Sequence, residues 1–224
     1  MKKLTLLAIL AVVVLSGCAS GNSYLANRST TIEMYHIFDI KTKADTATVA
    51  KAAADGLAQN TNTINQVTPL QMGKTVPVTA GRFSLEDVGA KLNNTGLGAM
   101  LQMAAMQNGG VPMKAAVCTD AVWTSRAERT IAGSSNLTLY SCIYKYQSGY
   151  QLDTYAVFQK TEGGVYQISR DIANSVIGTP EQWVNKTIID TVKSIEKATG
   201  VKVVRLEGQP ELTDLPESAL ISKK

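Results

Sequence analysis

The sequence predicts an α+β fold, an antiparallel meander packed on a long C-terminal amphipathic helix, with an N-terminal strand and helix joined to it. Three observations predict it. Residues 31–40 alternate apolar and polar positions; residues 115–168 hold four short β-rich runs divided by Ser and Gly turns; residues 179–200 carry a capped stripe at helical spacing. The chain has 224 residues, 45% of them hydrophobic, which is enough apolar material for a real core.

In the first strand Ile32, Met34, His36, Phe38 and Ile40 share one face. Asp45 is placed to cap an alanine-rich helix over 46–59, where Val49, Ala52, Ala53 and Leu57 fall near helical spacing. Residues 60–82, rich in Thr, Asn, Pro and Gly, predict one or two short strands with loops. Residues 92–113 carry no charge, and their apolar stretch Leu97–Met106 predicts a small helix between glycine-rich hinges, too short to cross a bilayer. The meander strands are expected near 116–124, 137–146, 151–159 and 165–169, with turns at Ser148-Gly149 and Gly163-Gly164. A two-residue Ser148-Gly149 loop would set Cys142 opposite Tyr155, Ile143 opposite Thr154 and Leu139 opposite Phe158. The last helix opens on Thr179-Pro180-Glu181-Gln182, a capping box with proline at the first position, and stops at Gly200. Val184, Ile188, Val192 and Ile195 form its stripe, and a short strand over 201–206 comes after it.

Composition excludes some functions. The 22 basic and 18 acidic side chains sum to +4, too little for a nucleic-acid partner held by phosphate neutralisation. A single histidine excludes any metal site needing two imidazoles, and no cofactor or metal motif is present.

The N-terminus carries the strongest signal. Met-Lys-Lys precedes a run without charge from Leu4 to Gly17, the layout of a secretory signal and too short for a bilayer span. The boundary Leu15-Ser16-Gly17-Cys18 resembles the lipobox of bacterial lipoproteins: a branched apolar residue, two small ones and a cysteine. The resemblance covers residues 1–18. It implies removal of residues 1–17, a diacylglyceryl thioether on Cys18 and a fatty acyl group such as palmitate on its new amino group. Several chains on one residue make membrane anchoring effectively stable. In such proteins an Asp after the lipidated Cys favours retention at the inner membrane. Ala19 stands there, which implies the periplasmic face of the outer membrane. Residues 18–30 then read as the lipidated end and a flexible tether, 31–206 as a single periplasmic domain, and 207–224 as a loose tail.

Two cysteines remain for an oxidising compartment, Cys118 and Cys142, and they predict a disulfide. Their spacing lacks the Cys-x-x-Cys closeness of a redox pair. A bridge between these two strands would set Ala121 opposite Leu139 and Asp120 opposite Tyr140.

No constellation points firmly to catalysis. His36, the lone imidazole, sits in the strand's apolar register, as expected of a core or rim histidine with a satisfied ring nitrogen. Ser194-Ile195-Glu196-Lys197 matches the Ser-x-x-Lys of penicillin-recognising enzymes but lacks their companion motifs, and Ser194 falls late in an amphipathic helix. Asp120, Asp153 and Asp171 have no spacing that fixes a glycosidase pair, and Gly96-Leu97-Gly98 is an incomplete dinucleotide fingerprint. Met100, Met103 and Met106 turn about the helix axis and read as adaptable filler or contact surface rather than a Cu(I) site. Tyr140, Tyr144 and Tyr146, with Tyr155 opposite, form a second candidate contact surface for a glycan or protein. The expectation is a non-enzymatic lipoprotein that binds another envelope protein or glycan, the alternative a carrier with an apolar or lipid ligand between sheet and helix.

Overall fold

The computed structural model describes residues 28–71, 73, 75–87, 114–129, 137–163 and 178–212. Contacts divide the chain into two units, residues 31–159 with 179–224 and residues 1–30 with 160–178. Of the second, little more than two strand ends is described; the fold and the candidate site belong to the first.

The elements are β1 (Arg28–Ile40), α1 (Thr46–Ala58), β2 (Thr63–Val67), β3 (Ser84–Asp87), β4 (Lys114–Val117), β5 (Trp123–Arg129), β6 (Leu137–Tyr146), β7 (Gly149–Glu162), α2 (Pro180–Thr199) and β8 (Val203–Gln209). Six strands form one antiparallel sheet in the order β2-β5-β6-β7-β1-β8, and β3 with β4 makes a second, two-stranded sheet. The expected α+β class is the observed one, including the meander β5-β6-β7 and the C-terminal helix against the sheet.

Local chemistry places both helices. Asp45 accepts from the Thr48 N–H at 2.8 Å, and the bond to that amide holds the Asp45 carboxyl below the usual carboxylate range. Thr179 and Gln182 close the capping box on α2, and Gly200 ends it at φ 70°, a left-handed conformation that suits glycine. Trp183, Val184, Ile188, Val192 and Ile195 are buried along one side of α2 and pack with Phe38, Leu139, Ile143 and Leu152 of the sheet. The small residues of α1 have a specific use. α1 lies directly against α2, and a Cβ on Gly56 would come within 2.4 Å of the Thr191 Cα, so the helices meet backbone to backbone. The Trp183 indole N–H, donating to the Asn60 carbonyl at 2.6 Å, ties the two helices at one end.

Several expectations are corrected. The hairpin turn is Gln147-Ser148, with Tyr146 paired to Gly149, so Cys142 faces Asp153, Ile143 faces Leu152, Leu139 faces Ala156 and Tyr140 faces Tyr155. Gly149 is not a turn residue, and its missing side chain serves another purpose. It sits in β7 at φ 152°, where a Cβ would lie 2.1 Å from the Ile40 carbonyl oxygen. The expected strand over 116–124 is two strands in two sheets. A turn at Cys118–Ala121, with Asp120 at φ 63° and the Ala121 N–H donating to the Cys118 carbonyl, carries the chain from β4 to β5. The Cys118–Cys142 disulfide is present, yet Ala127 rather than Ala121 faces Leu139, and Arg126 rather than Asp120 faces Tyr140. At the C-terminus β8 extends through Gln209 and Leu212 is buried, so the tail does not begin at Glu207. The strand expected near 165–169 lies outside the described residues.

Candidate functional site

The sheet's two faces differ in chemistry. The inner one, toward the helices, is the apolar core. It contains one transverse polar row, in which Ser125, Ser141 and Thr154 are successive ladder neighbours and the Thr154 hydroxyl donates to the His36 carbonyl. His36 is fully buried as expected, beside Phe38 and opposite Gly208, where a Cβ would strike its Nδ1. The expected hydrogen bond is missing: among the described residues both ring nitrogens lack a partner. Burial, with the nearby Arg205 guanidinium, drives its pKa down to about 3, so the ring is neutral.

On the outer face alternate residues of β6 and β7 bring together Tyr140, Cys142, Tyr144, Gln151, Asp153 and Tyr155. The sequence put tyrosines on this face correctly, but as an open contact surface they are corrected. Tyr144 is 1% and Tyr155 2% exposed, because residues 77–83 and the turn at 118–121 cover them. Phe83 stacks at a tilt on Tyr155 with centroids 5.7 Å apart, and a Cβ on Gly81 would press into the Tyr144 ring at 2.7 Å. Tyr140 remains half-buried beside a cleft. Tyr146 donates to Asp39 at 2.5 Å, and burial together with that carboxylate pushes its phenol up to about 12. Met100, Met103 and Met106 lie outside the described residues, as do Cys18 and Asp171.

Asp153 anchors the covering strap. Its Oδ2 accepts from the Phe83 N–H at 3.1 Å and its Oδ1 from Gln151 Nε2 at 2.8 Å, while the same Gln151 nitrogen donates to the Gly81 carbonyl at 2.9 Å. The Gln147 N–H donating to the Pro77 carbonyl fastens the strap's other end. Burial raises the Asp153 carboxyl to about 6 against those two hydrogen bonds and the Arg82 charge. Burial, with the Asp153 and Asp120 charges, also holds the Tyr144 phenol protonated. Sequence reading missed Asp153, Gln151, Gly81 and Phe83 as a unit. The one signal available was a carboxylate alternating with Gln151 and Tyr155 in the middle of a strand.

Two clefts open around this covered face. One, of about 830 Å³, runs between β2, β5 and β4 and is lined by Asn65, Gln66, Cys118, Thr124, Arg126 and Tyr140 among others. Arg126 is neutralised by Glu128 at 2.6 Å, so the cleft offers amide and hydroxyl groups with one aromatic ring rather than a net charge. The other, of about 670 Å³, lies at the hairpin end between residues 71–81 and Asp120, Tyr144 and Lys145. Among the described residues no cluster of His, Cys, Asp and Glu is arranged to hold a metal, and no helix is long and apolar enough to cross a membrane. Set against known proteins, the chain matches no family model, no curated protein and no solved structure.

Proposed function

We propose that this chain is an outer-membrane lipoprotein, anchored through Cys18 on the periplasmic side, whose folded body is a non-enzymatic module that binds another envelope component. The observation that carries it is the boundary Leu15-Ser16-Gly17-Cys18 behind a basic start and a short apolar run. The Cys118–Cys142 disulfide supports an oxidising compartment. The larger cleft supports a polar, extended ligand such as a glycan or peptide: Tyr140 offers a ring to stack on, and Asn65, Gln66 and Thr124 offer donors and acceptors. His36, the one imidazole, is walled into the core and lines neither cleft, which argues against a His-dependent nucleophile. Between sheet and helices Phe38, Leu139, Ile143, Val184, Ile188 and Val192 are each at most 1% exposed, which favours a docking face over a carrier's enclosed pocket.

Mass spectrometry of the N-terminal peptide, with density-gradient separation of the two membranes, tests the anchor. The expected result is a peptide starting at a lipid-modified Cys18 in the outer-membrane fraction, and loss of that fractionation in Cys18→Ser. A free thiol at position 18 with residues 1–17 still attached would overturn it. For the cleft, Tyr140→Ala should abolish crosslinking to the bound glycan or protein, and undiminished crosslinking would place the binding elsewhere.

A further inference from the structure

We propose that the free edge of β2 pairs with the same edge of a second copy of this chain, antiparallel about a two-fold axis at Asn65. Among the described residues β2 ends the six-stranded sheet and is bonded on one side only, to β5. Such an edge presents unpaired N–H and C=O groups to solvent, and proteins that stay monomeric guard it with charge, proline or a bulge. The opposite edge, β8, is guarded by charge and irregularity. Arg205 and Glu207 stand on it and pair with Glu211 and Arg82, and its register with β1 shifts between Ile37 and Phe38.

β2 has none of these guards. Thr63-Ile64-Asn65-Gln66-Val67 contains no charge and no proline, and its five pairs with β5 run without a register shift. Pro69 lies beyond the last of those pairs, and no charged residue occurs between Gly56 and Gly73. Thr63, Asn65, Gln66 and Val67 are exposed, and Val67 at 60% and Leu70 at 85% add apolar surface beside the edge. The occupant is a second copy because an uncharged edge meets its own image without like-charge contact, and an antiparallel edge is self-complementary in its hydrogen bonding. A charged partner strand would find no counter-charge on it. With the axis at Asn65, Thr63 faces Val67 of the other copy, Ile64 faces Gln66, and the two asparagines face each other with Cβ atoms about 5 Å apart. Each exposed valine then gains a β-branched cross-strand neighbour. This goes beyond the proposed function and does not depend on the lipid anchor.

Sedimentation equilibrium of the full chain in density-matched detergent tests it, with Asn65→Lys and Asn65→Asp as variants. The side chain at this position is exposed, so circular dichroism should show both variants folded. The wild type should dimerise with concentration, each variant alone should be roughly fivefold or more weaker because like charges face across the axis, and an equimolar mixture of the two should recover the dimer. Amide exchange in the wild type gives a second readout that needs no variant: the amides of Thr63–Val67 that face away from β5 should become protected as concentration rises. A monomer at every soluble concentration, a dimer indifferent to both variants, or outward-facing β2 amides protected independently of concentration would each overturn the pairing. The last outcome would mean that another segment or a different partner already covers the edge.

Discussion

Asp153→Asn isolates the electrostatic cost of the strap's anchor. Asparagine keeps an oxygen for the Phe83 N–H but sets an NH2 against the Gln151 donor, so the perturbation removes the charge and one hydrogen bond, and only the loss of charge depends on pH. The folded carboxyl holds its proton up to about pH 6, whereas the unfolded one releases it near 3.8. Between those values the native state binds one proton more than the unfolded state, so its stability falls as pH rises, by about 1.4 kcal/mol per unit. Over 6 − 3.8 = 2.2 units, the ionised Asp153 costs the fold about 3 kcal/mol at neutral pH. His36 has the opposite sign. Its folded pKa lies near 3 against 6.5, so the unfolded chain binds the extra proton in that window and acid destabilises. Where the windows overlap the two slopes cancel, and the contribution of this pair to the wild type's pH profile is flat from about pH 4 to 6. Urea unfolding of both proteins at pH 4, 5, 6 and 7, disulfide intact, should show the wild type ahead near pH 4 by about 1 kcal/mol for the lost Gln151 bond. By pH 7 the difference should have moved about 3 kcal/mol toward the variant, because every other titrating group cancels in it. A gap that does not change with pH, or one that moves toward the wild type as pH rises, would refute the burial argument.

Three further outcomes are expected. Gly56→Ala drives a Cβ to within 2.4 Å of the Thr191 Cα, so thermal unfolding should show a loss of about 1–3 kcal/mol; unchanged stability would mean the helices separate freely. Ser141→Ala removes a fully buried hydroxyl with no partner among the described residues, and chemical unfolding should show a gain of about 1 kcal/mol, whereas a loss would reveal a hidden hydrogen bond. Replacing both Cys118 and Cys142 by Ala reopens a loop with a sequence separation of 24 and should cost about 3.5 kcal/mol by denaturant titration.

What the sequence made legible is what period and caps encode. The Thr179 capping box, Gly200 and the Val184–Ile195 stripe locate α2 almost to the residue, because each signal is local and acts alone. The first strand's alternation likewise put Met34, His36, Phe38 and Ile40 on the buried side. Glycine was the failing letter. Gly149 and Gly56 are needed for close approach to Ile40 and Thr191, partners 109 and 135 positions away (149 − 40 and 191 − 56), and a local reading takes glycine for a turn or a weak helix residue. The tyrosine face failed for the same reason. Alternation says which residues share a face, but only the tertiary fold says that Phe83 and Gly81 lie over it.

The strap explains why a costly carboxylate stands in that face at all. A leucine in place of Asp153 would suit the burial better and would leave the Phe83 N–H and the Gln151 amide without their acceptor. Residues 77–83 would then keep the bonds at Pro77 and Gly81 and the Arg82–Glu207 ion pair, but Phe83 would lose the bond that sets its ring on Tyr155. The larger cleft shares a wall with this assembly, since Cys118 and Tyr140 line it while Cys142, bonded to Cys118, lies directly opposite Asp153. The carboxylate's desolvation is thus offset by a fixed outer layer, and the shape of the cleft depends on that layer staying down.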